Sequence, residues 1–259
     1  MRRRARMMWR WGLWTAAGAV AVSVACVALR PTGVVERKGG GEVVVVLHGL
    51  NRTSRAMEKM AAALAGEGYT VLNCNYPSTA GSVAELTQSV QEAIAPRVES
   101  ADAVHFVTHS MGGIVVRVMA QAHPLPNMGR VVMLGPPNQG SELVDALGSW
   151  RAYRWVNGAA GNELGTATNA TVQTLGAPTF ELGIIAGDRS LNPLFSWLIP
   201  GKDDGKVSVE RTKLEGMADF VCLHVTHTWM MRNSQVIRQT LHFLKNGRFE
   251  STEAPSADH

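Results

Sequence analysis

Apolar and polar positions alternate along the chain in blocks, and the blocks repeat. Glu42–Leu47 is a continuous aliphatic run, Val43-Val44-Val45-Val46-Leu47. A run with no polar alternation predicts a strand covered on both faces, as in a parallel sheet. Ser54–Ala65 has helical periodicity, with Thr53 or Ser54 as N-cap and Gly66 near its end. Tyr69–Tyr76 reads as the next strand, closed by Pro77, and Val83–Val98 as a helix interrupted by Pro96. Ala103–Val107 is again β-prone and stops at Thr108-His109-Ser110-Met111-Gly112-Gly113, after which an apolar helix runs to about Ala122. Arg130–Leu134, Phe180–Ala186 and Asp219–Leu223 are further strands, and Met231–Leu244 is a last helix. Strand and helix in repeated succession predict an α/β protein, a doubly wound, mostly parallel sheet with helices on both faces.

Between these blocks the pattern changes. Residues 31–41 are rich in glycine and read as a linker, so the domain proper is 42–249 and the polar residues 250–259 are a disordered tail. Residues 141–176 lack strand character and hold Trp150, Tyr153 and Trp155. They read either as a cap over a pocket or as a plain helical connection packed on the sheet. Gly187–Gly205 is a Gly/Pro/Asp-rich loop.

Charge alters the picture at one end only. Six of the 25 basic residues and none of the 21 acidic ones fall within residues 1–30, so the remainder carries a net charge of −2. That balance leaves no basic stripe suited to a nucleic-acid backbone. Arginines crowd Met1–Arg10, and Trp11–Leu29 carries no charge. This is a signal peptide, with Ala25 or Ala28 at the cleavage site, or an uncleaved membrane anchor through residues 11–29. The anchor is favoured by Trp9, Trp11 and Trp14 beside the basic end, where aromatic rings settle at an interface. Lipid attachment at Cys26 is a third route, although Ser23 stands where a lipobox has an aliphatic residue. Each route places the body in the cell envelope, anchored or exported. Outside the leader, Cys74 and Cys222 lie in apolar strand contexts and read as buried free thiols, with a disulfide open to them after export. No metal-ligand spacing occurs.

The candidate chemistry gathers at Ser110. Strand, abrupt turn and helix with a Ser at the corner hold one hydroxyl at the end of a sheet, and the following N–H lies at a helix start, where a developing anion is stabilised. The stretch resembles the nucleophile elbow G-x-S-x-G of the α/β-hydrolases, with one departure: Thr108 stands where the first Gly is expected. A β-branched residue there crowds the strand–helix contact.

A Ser hydroxyl needs a base, and the base needs an orienting carboxylate. Among eight histidines, His105 lies within the elbow strand, His109 adjoins Ser110, and His48 precedes the first loop. His123 ends the elbow helix, while His242 and His259 lie in the last helix and the tail. His224 and His227 remain. His227-Thr228-Trp229-Met230-Met231 resembles the segment before the last helix in a group of bacterial lipase/esterase-like α/β-hydrolases, which makes His227 the base and His224 its alternative. Asp203-Asp204-Gly205-Lys206-Val207-Ser208-Val209 resembles that group's Asp-Gly-x-Val-Ser-Val element. The triad acid then falls on Asp204; Asp188, just after the strand ending at Ala186, is the alternative, and Asp203 reads as a solvated turn residue. His48-Gly49-Leu50 resembles the group's oxyanion loop, so the resemblance assigns the N–H groups of Leu50 and Met111 to the oxyanion hole. It extends over roughly 41–249 and includes Tyr76-Pro77-Ser78-Thr79 and Gly135-Pro136-Pro137-Asn138-Gln139-Gly140-Ser141.

What the resemblance implies is a serine hydrolase acting on carboxylic esters of small molecules or lipids, with no metal or organic cofactor. Acyl transfer, thioester cleavage and amide cleavage use the same three side chains. A rival of another class is an anchored binding protein that keeps the fold without turnover, and Thr108 is the one local sign for it.

Overall fold

The computed structural model describes residues 32–168 and 170–251, so the leader lies outside the described residues, as does the tail beyond Ser251. Seven strands form one sheet in the order β1-β3-β2-β4-β5-β6-β7. They are β1 (Gly33–Arg37), β2 (Glu42–Leu47), β3 (Thr70–Asn75), β4 (Ala103–His109), β5 (Met128–Leu134), β6 (Leu182–Gly187) and β7 (Asp219–Leu223). All neighbours pair in parallel except β1, which runs antiparallel to β3.

The strand runs explain the layers. Along β2, Val43, Val45 and Leu47 enter one core while Val44 and Val46 enter the other. In β5, Val131 and Met133 face the first core, Val132 and Leu134 the second. Successive side chains on a strand point to opposite faces, so an unbroken aliphatic run requires a helical layer on each side. Two helices cover the first face: α2 (Val83–Val98), through Leu86, Val90 and Ile94, and α3 (Met111–Ala122), through Ile114, Val115 and Met119. The second face is covered by α1 (Glu58–Gly66), through Met60 and Leu64, and α9 (Ser234–Asn246), through Val236 and Phe243. Each such aliphatic side chain removed from water contributes about 1.5–3 kcal/mol before entropy is counted.

The helix ends follow local chemistry. Ser82 and Glu85 form a reciprocal capping box on α2, and Asn233 caps α9 through the N–H groups of Gln235 and Val236. Helix α2 continues through Pro96 rather than breaking there. Pro96 lies in the last turn on the exposed side, and the Arg97 side chain bonds the Ala93 carbonyl at 2.9 Å.

The segments between the main blocks carry structure of their own. The residues read as a linker carry β1, whose exposed, mixed side chains give no strand signal of their own; its order comes from pairing with β3. Residues 141–176 hold α4 (Glu142–Leu147), α5 (Arg151–Asn162, kinked at Gly158) and the single turn α6 (Thr171–Thr174). The loop from 187 to 205 contains α7 (Pro193–Leu198), started by Asn192 and by Pro193 in its first turn. Another single turn, α8 (Val209–Thr212), precedes β7. Cys222 is exposed rather than buried and Cys74 is buried; both are free thiols. No helix among the described residues is long and apolar enough to cross a membrane.

Candidate active site

Strand β4 ends at His109 and α3 begins at Met111, which leaves Ser110 alone at the corner with φ 54° and ψ −124°. This is a conformation L-residues rarely hold, at a cost of about 1–3 kcal/mol, and it persists because its neighbours over-determine it. The Ser110 N–H donates to the Leu134 carbonyl at 2.8 Å, and the Ser110 carbonyl accepts from Gly113 N–H at 3.0 Å. A side chain on Gly112 would meet the carbonyls of Leu47 and His48 at 2.9 and 3.0 Å, so only glycine lets α3 approach the end of β2 this closely. Thr108 does not prevent the turn. It is fully buried between Leu47 of β2 and Met133 of β5, and its hydroxyl has no partner.

The acid and the imidazole come from loops at the same edge of the sheet. Asp204 is buried, and its Oδ1 accepts from the N–H groups of Lys206 and Val207 at 3.0 and 2.9 Å. Its Oδ2 lies 2.6 Å from Nδ1 of the buried His227. The backbone repeats the link, since His227 N–H donates to the Asp204 carbonyl at 2.9 Å. With a carboxylate at Nδ1, that nitrogen carries the proton and Nε2 is left as the basic one. His227 and Ser110 line the same cavity of about 270 Å³.

The alternative residues pair elsewhere. His224 Nδ1 lies 2.9 Å from Asp188 Oδ1, and Lys202 approaches the same carboxylate at 3.6 Å. Neither Asp188 nor His224 lines the cavity that holds Ser110. Asp203 is buried rather than solvated; its carboxylate accepts from Ser196 Oγ and Gly205 N–H and so shapes the turn that aims Asp204.

Two supports take on a role only in the structure, one of them within the Tyr76-Pro77-Ser78-Thr79 element of the resemblance. His109, set aside as a base, has its Nε2 3.0 Å from the His227 carbonyl, with ring centroids 4.7 Å apart. A carbonyl only accepts, so Nε2 donates and His109 braces the backbone of His227. Burial, and then the neighbouring His227, hold His109 well below the ordinary imidazole pKa, so it stays neutral. The second support is Tyr76-Pro77-Ser78. The His48 ring stacks on Tyr76 at 4.2 Å, the Tyr76 hydroxyl donates to the His48 carbonyl, and Ser78 Oγ accepts from Asn51 N–H at 3.1 Å. His48 Nδ1 donates to the Gly49 carbonyl at 2.9 Å, while Nε2 accepts from Tyr76 N–H at 3.3 Å. Burial lowers its pKa to about 4. The loop carrying Leu50 is thereby pinned beside Ser110, and Leu50 lines the cavity.

The remaining walls are largely apolar. Leu143, Val144 and Leu147 come from α4, Tyr153 and Val156 from α5, and Phe195 from α7. Residues 141–176 therefore lie over the site as well as on the sheet. Burial raises the Tyr153 hydroxyl pKa to about 12. The buried Arg117 of α3 ties the far end of this cover to that helix and to the loop after β5, donating to the carbonyls of Leu175 and Asn138 at 3.0 and 2.9 Å.

A seven-stranded, mostly parallel sheet with a strained serine at the β4–α3 corner is the architecture of an α/β-hydrolase. Residues 43–175, just over half of the chain, match the family model described as palmitoyl protein thioesterase, and the chain belongs to that family. No curated protein sequence matches it. Among solved structures, the mature lipase BlEst2 of Bacillus licheniformis is similar at 19% identity, covering 83% of this chain and 96% of that one, with a TM-score of 0.58. The esterase EaEST from Exiguobacterium antarcticum is similar at 13% identity, with 83% and 96% covered and a TM-score of 0.59. Phospholipase PlaB from Legionella pneumophila, in complex with thio-NAD, is similar at 17% identity, with 78% and 56% covered and a TM-score of 0.59. At these identities the likeness is one of fold.

Proposed function

We propose that the protein is a serine hydrolase that cleaves carboxylic esters or thioesters through an acyl-enzyme on Ser110. The observation that carries this reading is the buried 2.6 Å contact between His227 Nδ1 and Asp204 Oδ2, at the wall of the cavity that Ser110 also lines. Ser110 Oγ attacks the acyl carbonyl, and its proton passes to His227 Nε2. The imidazolium so formed is steadied by the Asp204 carboxylate, whose other oxygen is held by two backbone N–H groups. The N–H groups of Leu50 and Met111 receive the oxyanion. Each such donor is worth about 2.7–4 kcal/mol in the transition state. His227 then protonates the leaving alcohol or thiol as its bond to carbon breaks. A water, deprotonated by the same imidazole, attacks the acyl-enzyme and releases the acid, with the proton returning to Ser110. The apolar walls from α4 and α5 suit an acyl chain.

Family membership favours a thioester as one of the bonds cleaved. The uncharged run of residues 11–29 would place the site at a membrane, within reach of lipid esters. Labelling of Ser110 by a fluorophosphonate, abolished in Ser110→Ala, is the decisive experiment. A parallel assay compares an oxygen ester and a thioester of one acyl chain. No labelling and no turnover of either would leave only a binding role for the fold.

A further inference from the structure

A second concavity, of about 350 Å³, adjoins the catalytic cavity and shares Asn51 and Arg52 with it. Arg55, Trp229 and Arg232 contribute to its walls. Lys206 is exposed and lines the catalytic cavity itself. Four cations thus frame the passage from Ser110 into the second concavity, and no acid lines either space.

Their place sets them apart: they gather at two adjoining spaces that no carboxylate lines. Elsewhere Arg37 pairs with Glu58, Arg97 with Glu36, Arg130 with Glu181 and Arg211 with Glu142. None of Arg52, Arg55, Lys206 and Arg232 has an ion pair among the described residues. The Arg232 guanidinium lies 5.8 Å from the centre of the Trp229 ring, a contact that orients the charge without neutralising it. The one carboxylate that attracts Lys206 is Asp204, already engaged by His227 and two backbone N–H groups. The cations also feel one another. Burial first, then Arg232, lowers the pKa of Arg52, and burial first, then Arg52, lowers that of Lys206. Such self-repulsion costs stability, and a bound anion would relieve it.

We propose that Arg52, Arg55, Arg232 and Lys206 form a subsite for a phosphate carried on the leaving group, so that the substrate is an acyl ester or thioester with a phosphorylated alcohol or thiol part. This rests on the hydrolase reading above. The acyl chain takes the apolar side beneath α4 and α5, and the leaving group exits past Arg52. Phosphate fits better than a single carboxylate. Guanidinium forks match its oxygens, and its second negative charge offsets more of the cluster.

The test holds an octanoyl chain constant. Octanoylglycerol is compared with octanoylglycerol 3-phosphate, and octanoyl pantetheine with octanoyl 4′-phosphopantetheine. In at least one pair the phosphorylated member should have kcat/KM about tenfold higher at low salt, falling with ionic strength. The pair that shows it identifies an oxygen ester or a thioester. In the double variant Arg52→Gln, Arg232→Gln the ratio should approach one, whereas Arg248→Gln, exposed and outside both concavities, should leave it unchanged. Calorimetry of the full wild-type chain with octyl ethers of glycerol and of glycerol 3-phosphate reads the subsite without turnover. Equal affinity for the two ethers, or equal kcat/KM within both pairs, would overturn the subsite while leaving the hydrolase intact. Preferential binding of the phosphorylated ether with no cleavage of any ester would overturn the hydrolase and leave the subsite.

Discussion

Gly135→Ala probes the Asp204–His227 pair without touching either residue. Gly135 follows β5 with φ +53°, and its N–H donates to the Ile185 carbonyl at 2.9 Å. Two costs can be separated. The left-handed backbone disfavours alanine by about 1–2 kcal/mol. At this chain length that lowers Tm by about 2–8 °C. The new Cβ would then lie 2.9 Å from Asp204 Oδ2 and 3.1 Å from both His227 Nδ1 and Met230 Sδ. The Met230 thioether belongs to a flexible side chain and can yield. Asp204 cannot retreat freely, because Lys206 and Val207 hold its other oxygen. The displacement therefore falls on the contact between Oδ2 and Nδ1. Losing the geometry of a charge-assisted hydrogen bond costs about 1.5–3 kcal/mol. That corresponds to a fall in kcat of about 10- to 100-fold with KM little changed. Thermal melting gives the first cost. Steady-state hydrolysis of a chromogenic short-chain ester, normalised to folded protein, gives the second. A variant that melts lower but keeps kcat within twofold of wild type would refute the reasoning, since the pair would then tolerate displacement.

Further substitutions and a titration test the surrounding parts. Asp204→Asn should lower kcat by about three to four powers of ten, as expected when the imidazole loses its orienting carboxylate; Asp188→Asn, which disturbs only the outer pair with His224, should change it less than twofold, and equal losses would reassign the acid. His109→Phe removes the bond to the His227 carbonyl while keeping a ring of similar size. It should cost about 1 kcal/mol, near fivefold in kcat, and an unchanged rate would make His109 mere packing. His48 has a folded pKa of about 4 against 6.5 when free. Between those values the unfolded chain binds more protons, so stability rises with pH. Acidification from pH 6.5 to 4 should remove about 3 kcal/mol through this residue. Urea denaturation across that range should show the slope, and His48→Gln should flatten it. An identical slope in the variant would place the acid sensitivity elsewhere.

The parts of this molecule legible in the sequence are those whose chemistry is local. The valine run of β2 needs cover on both faces wherever it lies, and the turn after His109 needs small residues whatever surrounds it. Ser110 stands at a strand-end turn that its own neighbours mark, whereas Asp204 and His227 are singled out only by the resemblance, because Asp188 and His224 also follow closely on strands. Edge strand β1 is different: its five residues are mostly exposed, and only the antiparallel register with β3 makes them a strand. Helix α7 has no buried residue, so no apolar stripe marks it. His109 looks like a bystander until the backbone of residue 227 arrives beside it. Gly135 looks like any strand-ending glycine until two loops distant in sequence bring a carboxylate and an imidazole against its α-carbon.

The cation cluster extends the same point to specificity. Arg52 lies three residues after Gly49, Lys206 two after Asp204 and Arg232 five after His227. Each follows closely on a segment that the catalytic reading uses, and each alone resembles an ordinary solvated charge. The fold turns closeness in sequence into closeness in space: the segments that bring Ser110, Asp204 and His227 to one sheet edge also carry their next charged residues to two adjoining concavities. A net charge of −2 for the body outside the leader hides this, because the acids that balance the sum are paired elsewhere, as Glu58, Glu36 and Glu181 are. Local charge at a site is set by which loops converge there, and the loops that converge on Ser110 bring an excess of positive charge.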